Sequence, residues 1–426
     1  MIPRIDKLEV WRTLSDGQQV LVGQLALNQQ GVFFQYDDTY LDAHPNLAPF
    51  NLAHTNELQA APKDPHKGLH GAFADSLPDS WGLMLQDRSF RQQGALPAQI
   101  TSLHRLAYVG DAGTGALDYR PALNHASQEQ DEVALHSLGI AAQAVFDGQT
   151  DDLLGALLAA GSSGGARPKV QVYLNGDDFD HCRTSPKKGD DAWLVKFTSQ
   201  YLPLGHEEGI CEAVYLTLAA KAGLEVPTWQ LLPAPDGGGA SHWLALKRFD
   251  RTSAGGKLHL LSACGLLDAD FRSPSLDYED LIKASRTLCK SPLAGQVQFR
   301  RAAFNLLACN QDDHSKNWAF LQDNAGHWSL APFYDVTFSP HTFGEHATAY
   351  AGFGSAPPIK AMQNLAAAAG FADWSQARQV LEEVASVVAD FAEVAKAMDV
   401  KPDTLRLIGQ QLESTRLANR ALLESR

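Results

Sequence analysis

No run of apolar residues in this 426-residue chain approaches the about 20 needed to cross a bilayer as a helix, so no membrane-spanning helix is expected. The opening segment, Met1 to Val10, alternates charged and apolar residues and lacks the apolar stretch of an export signal. Cysteine is scarce. Cys182, Cys211, Cys264, Cys289 and Cys309 are odd in number and share no short spacing, which argues against a disulfide framework or a thiolate zinc site and for reduced thiols. These absences together give the expectation of a cytoplasmic protein with no membrane partner. Positive charge is also in short supply: Lys+Arg number 35 against 49 Asp+Glu, a formal net charge of -14. The chain as a whole therefore repels a nucleic-acid backbone, and non-specific DNA binding is not its main task, although a local basic cluster can still hold phosphates.

What is present is the composition of an ordinary globular protein, 45% hydrophobic and 20% charged. The length exceeds what one core fills, since single cores stop growing near roughly 250 to 300 residues, so at least two lobes are expected. The first stretch reads as an antiparallel meander. Leu8 and Val10 alternate with polar residues, Asp16-Gly17 is a tight-hairpin signal, and Val20-Leu21-Val22 and Val32-Phe33-Phe34 follow. Phe73 to Asp79 reads as a turn, with Asp79 or Ser80 capping the helix that begins near Trp81. From Arg120 to Asp152 the chain is polar and alanine-rich, and reads as a connection. Strands are then expected at Val170–Leu174, Ala192–Phe197 and Trp243–Phe249, with a helix from Glu212 to Ala222. After Asp250 the pattern is mainly helical apart from one hairpin between Trp318 and Leu330, and helices fill the stretch from Phe371 to Ser425.

The segment richest in chemistry is Asn310-Gln-Asp-Asp-His-Ser-Lys-Asn317, followed by that hairpin and by Ala331-Pro-Phe-Tyr-Asp-Val336. A hairpin returns its last residue to the neighbourhood of its first. Asn317, just before the outgoing strand, and Asp335, just after the returning one, should therefore lie close together, with Asp312 on the same loop. Two carboxylates and a carboxamide converging on one spot are hard oxygen ligands suited to Mg²⁺, with a base to spare. Phosphoryl transfer by protein kinases uses such a set: one aspartate takes the acceptor hydroxyl's proton, an asparagine five residues on binds metal, and an aspartate beyond a hairpin binds the metal that bridges the phosphates. Taken singly, each of these residues is as well explained as a polar loop position. Their joint spacing favours function.

Further candidates belong to the same chemistry. Gly161-Ser-Ser-Gly-Gly-Ala-Arg-Pro-Lys169, directly before a strand, is a loop whose glycines let backbone N–H groups approach phosphates. It is not a Walker A loop, because Val170 stands where Ser or Thr would follow the lysine. Lys196 lies among apolar residues and needs an anionic partner, which a nucleotide's phosphates would supply. Glu212 either pairs with Lys196 or faces solvent. The backbone from Lys247 to Phe249 is the expected hinge for adenine, and Asp250 reads as part of a structural ion pair. His66 and His70 read as surface histidines, His314 as a brace for the catalytic loop, and Trp81, Trp193, Trp229 and Trp243 as core.

The Asn-x-Asp-x-His-x-Lys-Asn loop followed by Leu-Ala-Pro-x-Tyr-Asp-Val resembles the signature of the HipA family of bacterial toxin kinases. Phe73 to Asp79, Leu106 to Leu117, Glu212 to Pro227 and Lys247 to Arg251 resemble further family segments in the same order. The resemblance implies an α+β, two-lobed protein-kinase-like fold with a β-rich N-terminal module and a helical C-terminal lobe. The corresponding units are a 1–125 N-terminal subdomain, a 151–250 nucleotide-binding small lobe and a 251–426 helical catalytic lobe. It implies ATP and Mg²⁺ as cofactors, with Asp312 catalytic and Asn317 and Asp335 on the metal. Ser162, Ser163, Gly164, Gly165, Ala166, Lys169, Lys196, Lys247, Phe249 and His314 would surround the nucleotide. Ser162, or failing it Ser163, would be autophosphorylated. Arg167-Pro168 departs from the family's usual Gln-Glu and leaves that pair's contacts open. The implied role is the toxin of a toxin-antitoxin pair. It would phosphorylate a serine of an aminoacyl-tRNA synthetase and be restrained by a small DNA-binding antitoxin, reaching DNA only through it. The competing classes are a kinase-like scaffold without catalysis, acting in repression, and a small-molecule kinase. Retention of Asp312, Asn317, Asp335 and Lys196 argues against the scaffold.

Overall fold

The structure, a computed structural model, describes residues 2–123, 132–150, 157, 165–176 and 178–424. The N-terminal module is built on a five-stranded antiparallel sheet of β1 (Lys7–Thr13), β2 (Gln19–Asn28), β3 (Gly31–Tyr36), β4 (Gln59–Ala60) and β5 (Leu117–Arg120), in the order β4-β3-β2-β1-β5. Alternation decides which side is buried: Leu8 and Val10 of β1 and Val32 and Phe34 of β3 face the core, while Glu9 and Gln35 face solvent. The expected turn at Asp16-Gly17 joins β1 to β2, with Gly17 at φ +89°.

The small lobe carries a second antiparallel sheet, β6 (Lys169–Leu174), β7 (Asp191–Lys196), β8 (Trp229–Pro233) and β9 (His242–Lys247), ordered β6-β7-β9-β8. Its register pairs Lys169 with Lys196, so two cations sit side by side at one end of adjoining strands. The Glu208–Lys221 helix packs against β9, and every residue from Glu208 to Leu216 is buried. A second helix, Leu135–Phe146, inserts Leu135, Leu138, Ala142 and Val145 into this lobe's own core. That helix corrects the reading of residues 120–152 as a polar connection. Its Gly139 lies so close to Trp243 that a Cβ there would stand 2.2 Å from the indole. A residue that lowers helix propensity is thus what lets the helix dock.

The third region begins with β10 (His259–Ser262) and β11 (Leu276–Asp277) and continues through the helices Tyr278–Cys289 and Pro292–Ala308. The expected hairpin follows as β12 (Ala319–Gln322) and β13 (Trp328–Leu330), with Phe320 opposite Leu330; β10 adds itself to β12, and β14 (Thr348–Ala349) pairs in parallel with β11. Helices from Ile359 to Glu424 complete the lobe. One continuous core runs from Ile5 and Val10 in the N-terminal sheet to Phe304 and Leu412 in the helical lobe.

Buried charge joins the regions. Arg12 of β1, fully buried, donates to Tyr40 Oη at 3.1 Å, Gln322 Oε1 at 3.0 Å and the Asp323 carbonyl at 3.1 Å, which fastens the N-terminal sheet to the β12–β13 hairpin. Asp250 is a second junction. Its carboxylate pairs with Arg248 (Nε to Oδ1, 2.8 Å) and Arg251 (Nη1 to Oδ2, 2.8 Å), and accepts the Gly115 N–H of the N-terminal module at 2.6 Å. Burial disfavours the charged carboxylate, but Arg248 and Arg251 outweigh it and hold Asp250 well below the usual aspartate range. Replacing Asp250 by alanine would leave two largely buried guanidinium groups without their carboxylate. Asp250→Ala should cost about 3 to 5 kcal/mol in urea unfolding, whereas a loss below about 1 kcal/mol would show that this junction carries little of the stability.

Candidate active site

A cavity of about 480 Å³ opens where the small-lobe sheet, the 310–317 loop and the 75–80 turn of the N-terminal module meet. Leu194 and Leu246 supply apolar wall, while Lys196, Asp312, Asn317 and Asp335 converge in the same space. β12 and β13 carry the chain out and back, and Asn317 and Asp335, on either side of the hairpin, line one cavity.

The charges inside form a connected set. Lys196 Nζ lies 2.7 Å from Glu212 Oε1 and 2.6 Å from Asp335 Oδ1. Glu212 is fully buried and spends its other oxygen, Oε2, on Arg167 Nη1 at 2.9 Å; Arg167 also stands 3.5 Å from Glu208 Oε2. The choice left open for Glu212 is thus resolved inward, and the departure at Arg167 places a third cation beside Lys196 and Lys169. Burial works against the Lys196 ammonium, yet Asp335 and Glu212 overcome it and hold Lys196 above the ordinary lysine range. For Asp335 the same contest ends below the usual aspartate range, because Lys196, Lys169 and Arg167 together outweigh desolvation. Lys169 goes the other way: burial, then repulsion from Lys196, lowers it to about 8. Asp335 has φ +55°, in the left-handed region that aspartate tolerates better than most residues.

The 310–317 loop is held from within by Asp313, a residue that nothing in the sequence sets apart from its neighbours. Asp313 is buried and accepts from Tyr278 Oη at 2.6 Å and the Thr348 N–H at 3.1 Å, with His346 Nδ1 at 2.9 Å. Tyr278 in turn receives Asn305 Nδ2 at 3.0 Å, Asn305 receives Asn310 Nδ2 at 2.8 Å, and Asn310 receives the Ser339 hydroxyl at 2.8 Å. That hydroxyl accepts the Asp312 N–H at 3.2 Å. With its backbone so fixed, Asp312 keeps its side chain 68% exposed. The surrounding protein, with Asp335 and Asp313, raises its carboxyl against the opposing pull of His314, a tendency that solvent screens. Asn317 Nδ2 donates to the Asp312 carbonyl at 2.6 Å, and its Oδ1 has no hydrogen-bond partner among the described residues.

Other expected residues fall differently. His314 braces the loop through its backbone, its carbonyl accepting the Asn317 N–H at 2.9 Å, and not through its imidazole: Nδ1 is buried without a partner among the described residues, Nε2 is 3.8 Å from Asp312, and the ring leans on Phe271 at 5.8 Å. Lys247 and Phe249 line the cavity, but Lys247 turns its ammonium to Asp191 at 2.7 Å and gives its N–H to the Thr228 carbonyl, and Arg248 N–H goes to Ala192. Only Phe249 of this expected hinge keeps an N–H without a protein partner among the described residues. Gly165 and Ala166 also line the cavity, whereas Ser162, Ser163 and Gly164 lie outside the described residues. His66 and His70 are not surface residues: His66 meets Asp268 at 2.9 Å with a 6% exposed side chain, and burial lowers the enclosed His70 to about 4. Asp79 does not cap its helix either; its carboxylate goes to Gly165 N–H and to Lys316.

Comparison with known proteins agrees with this architecture. Residues 16–120 match the model of the HipA N-terminal domain, and residues 161–392 that of the HipA-like C-terminal domain. The serine/threonine-protein kinase toxin HipA of Shewanella oneidensis is 26% identical over 199 residues, which span 41% of this chain and 42% of that relative. The alignment thus spans less than half of the relative's length. A solved Shewanella oneidensis HipA, in complex with HipB and operator DNA, has the same fold with a TM-score of 0.66 and 16% identity, covering 96% of both chains. Among the described residues no helix is long and apolar enough to cross a membrane. With matches to both family models covering most of its length, the chain belongs to the HipA family.

Proposed function

We propose that the chain is a serine/threonine protein kinase that transfers the γ-phosphate of ATP to a protein hydroxyl, and acts as the toxin of a toxin-antitoxin pair. The observation that carries this reading is that Lys196, held at 2.7 Å by the buried Glu212, meets Asp335 at 2.6 Å in the cavity that also holds Asp312 and Asn317. Lys196 would take the nucleotide's inner phosphates, with Glu212 fixing its ammonium in place. Asp335 and the free Oδ1 of Asn317 are hard oxygen donors that fit Mg²⁺. When bound, the ion would neutralise charge building on the transferring phosphoryl group. Asp312, exposed on a rigid loop, would accept the acceptor hydroxyl's proton, and Lys169 and Arg167 add positive charge where phosphates would lie. Asp75, Ser76, Leu77, Asp79 and Ser80 bring the N-terminal module into the same cavity wall.

By family resemblance the acceptor is a serine of an aminoacyl-tRNA synthetase, and the partner is a small DNA-binding antitoxin through which the protein meets DNA. The Shewanella oneidensis HipA structure contains HipB and operator DNA, which supports such a partner. Autophosphorylation at Ser162, or at Ser163, would add about -1.5 to -2 charges to a loop that holds phosphates and so oppose nucleotide binding. Mass spectrometry of protein incubated with Mg-ATP should find the phosphate in wild type and not in Asp312→Asn; an unmodified loop in active protein would exclude this switch.

The two aspartates should fail differently. Asp312→Asn should lower phosphate transfer to host proteins at least about 100-fold while leaving Mg-ATP affinity within about threefold of wild type. Asp335→Ala should lose both transfer and metal-dependent affinity. Calorimetry and γ-labelled ATP separate the cases, and retained transfer in both variants would refute the assignment.

Lys169 provides a pH test. Its depressed value of about 8 means that an arriving phosphate favours the charged form and raises it, so binding takes up protons near pH 8. ATP affinity should weaken as pH rises through about 8 and level off below it, and Lys169→Met should flatten that dependence. An unchanged slope in the variant would place Lys169 outside the binding event.

A further inference from the structure

The turn that opens the Ser80–Gln92 helix makes contacts that the helix itself does not need. Asp79 stands at the N-cap position, where an aspartate ordinarily accepts from the first-turn N–H groups, yet its side chain makes no such bond among the described residues. Instead Oδ1 accepts the Gly165 N–H in the phosphate loop, and Oδ2 pairs with Lys316 Nζ at 3.0 Å, one residue before Asn317. The Asp79 and Lys316 side chains are only 10% and 17% exposed, so their attraction is weakly screened. Two more bonds from the same turn grip the same loop: Trp81 N–H donates to the Gly165 carbonyl at 3.2 Å, and its buried indole Nε1–H donates to the Lys169 carbonyl at 2.8 Å.

A buried carboxylate that leaves its own helix uncapped must be held by something else. Burial opposes its charged form, and Lys316 followed by Gly165 reverse that and keep Asp79 below the usual aspartate range. The two groups it joins belong to different lobes: Gly165 precedes β6 of the small lobe, and Lys316 lies in the 310–317 loop. Lys316 is itself seated by Phe271, whose ring centre is 4.6 Å from Nζ, and Tyr334 Oη holds its carbonyl at 2.6 Å. Asp79 thus ties a seated residue of the catalytic loop to the loop over the cavity.

We propose that Asp79 is a positioning residue for phosphoryl transfer: it fastens the phosphate loop to the catalytic loop, so that the N-terminal module closes the nucleotide cleft. The proposal rests on the kinase reading of the site. Displacing the 77–81 turn would release Gly165, Lys169 and Lys316 together, which makes the N-terminal module a point from which nucleotide binding can be controlled.

The test compares full-length wild type with Asp79→Asn, Asp79→Glu, Lys316→Met and the Asp79→Asn/Lys316→Met double variant, reading KM for Mg-ATP, kcat and thermal unfolding. Asp79→Asn should raise KM roughly tenfold with kcat changed by less than about threefold, and Asp79→Glu should recover part of the loss. The double variant should be little worse than the poorer single one, because the two residues act as one tie. Should Asp79→Asn not fold, Trp81→Phe, which removes the indole N–H from the Lys169 carbonyl, should raise KM in the same direction. Additive losses, or KM within about twofold of wild type in folded variants, would overturn the proposal while leaving the kinase reading intact. A wild type that binds no Mg-ATP would overturn both.

Discussion

The ion cluster around Lys196 is the constraint from which the rest of the site follows. Three cations (Lys196, Lys169, Arg167) and three carboxylates (Glu212, Glu208, Asp335) lie close together, and most are nearly excluded from water. Each ion taken singly would be costly to bury, so the cluster persists because its members neutralise one another. That balance dictates local structure. The register of β6 on β7 sets Lys169 beside Lys196, and the Glu208–Lys221 helix presents Glu208 and Glu212 one turn apart toward them. Asp335 must reach in from the far side of a hairpin, from a backbone position at φ +55°. The anions of this cluster neutralise the cations now, and an incoming nucleotide would offer the same cations new partners.

The 310–317 loop is rigid for a different reason. Asp313 anchors it from below through Tyr278, His346 and Thr348, and the Asn305, Asn310 and Ser339 relay returns to the Asp312 N–H. Neutral and charged hydrogen bonds that satisfy one another in a buried network specify one arrangement rather than several. Asp312 can therefore stand open to solvent on a fixed backbone. The N-terminal module adds a third wall, fastened by its Arg12 to the β12–β13 hairpin and by its Gly115 N–H to Asp250.

Local features were legible in the sequence and distant ones were not. Asp312, Asn317 and the hairpin returning to Asp335 span few residues, and hairpin geometry leaves little freedom in where they end. Lys196 was recognisable from its apolar neighbours. Glu212 stayed open because the inward face of a helix buried nearly all round has no amphipathic signature. Asp79 looked like a helix cap, since its true partners lie 86 and 237 residues away. The Leu135–Phe146 helix was hidden by alanines and by Gly139, whose use appears only against Trp243. His66 and His70 read as surface histidines because nothing local to them shows that Asp268, 202 residues beyond His66, and Phe34 of β3 close over the segment and bury them. Arg167 showed as a departure from a family pattern, and its seat between two glutamates emerged only in three dimensions.

Whether this cavity takes Mg-ATP can be decided by a crystal structure of the chain with Mg²⁺ and a non-hydrolysable ATP analogue. Phosphates should lie between Lys196 and the loop ending at Lys169, and metal density should lie on Asp335 and Asn317. The terminal phosphate should face Asp312. An analogue bound away from this cavity, or a metal that touches neither Asp335 nor Asn317, would contradict that placement.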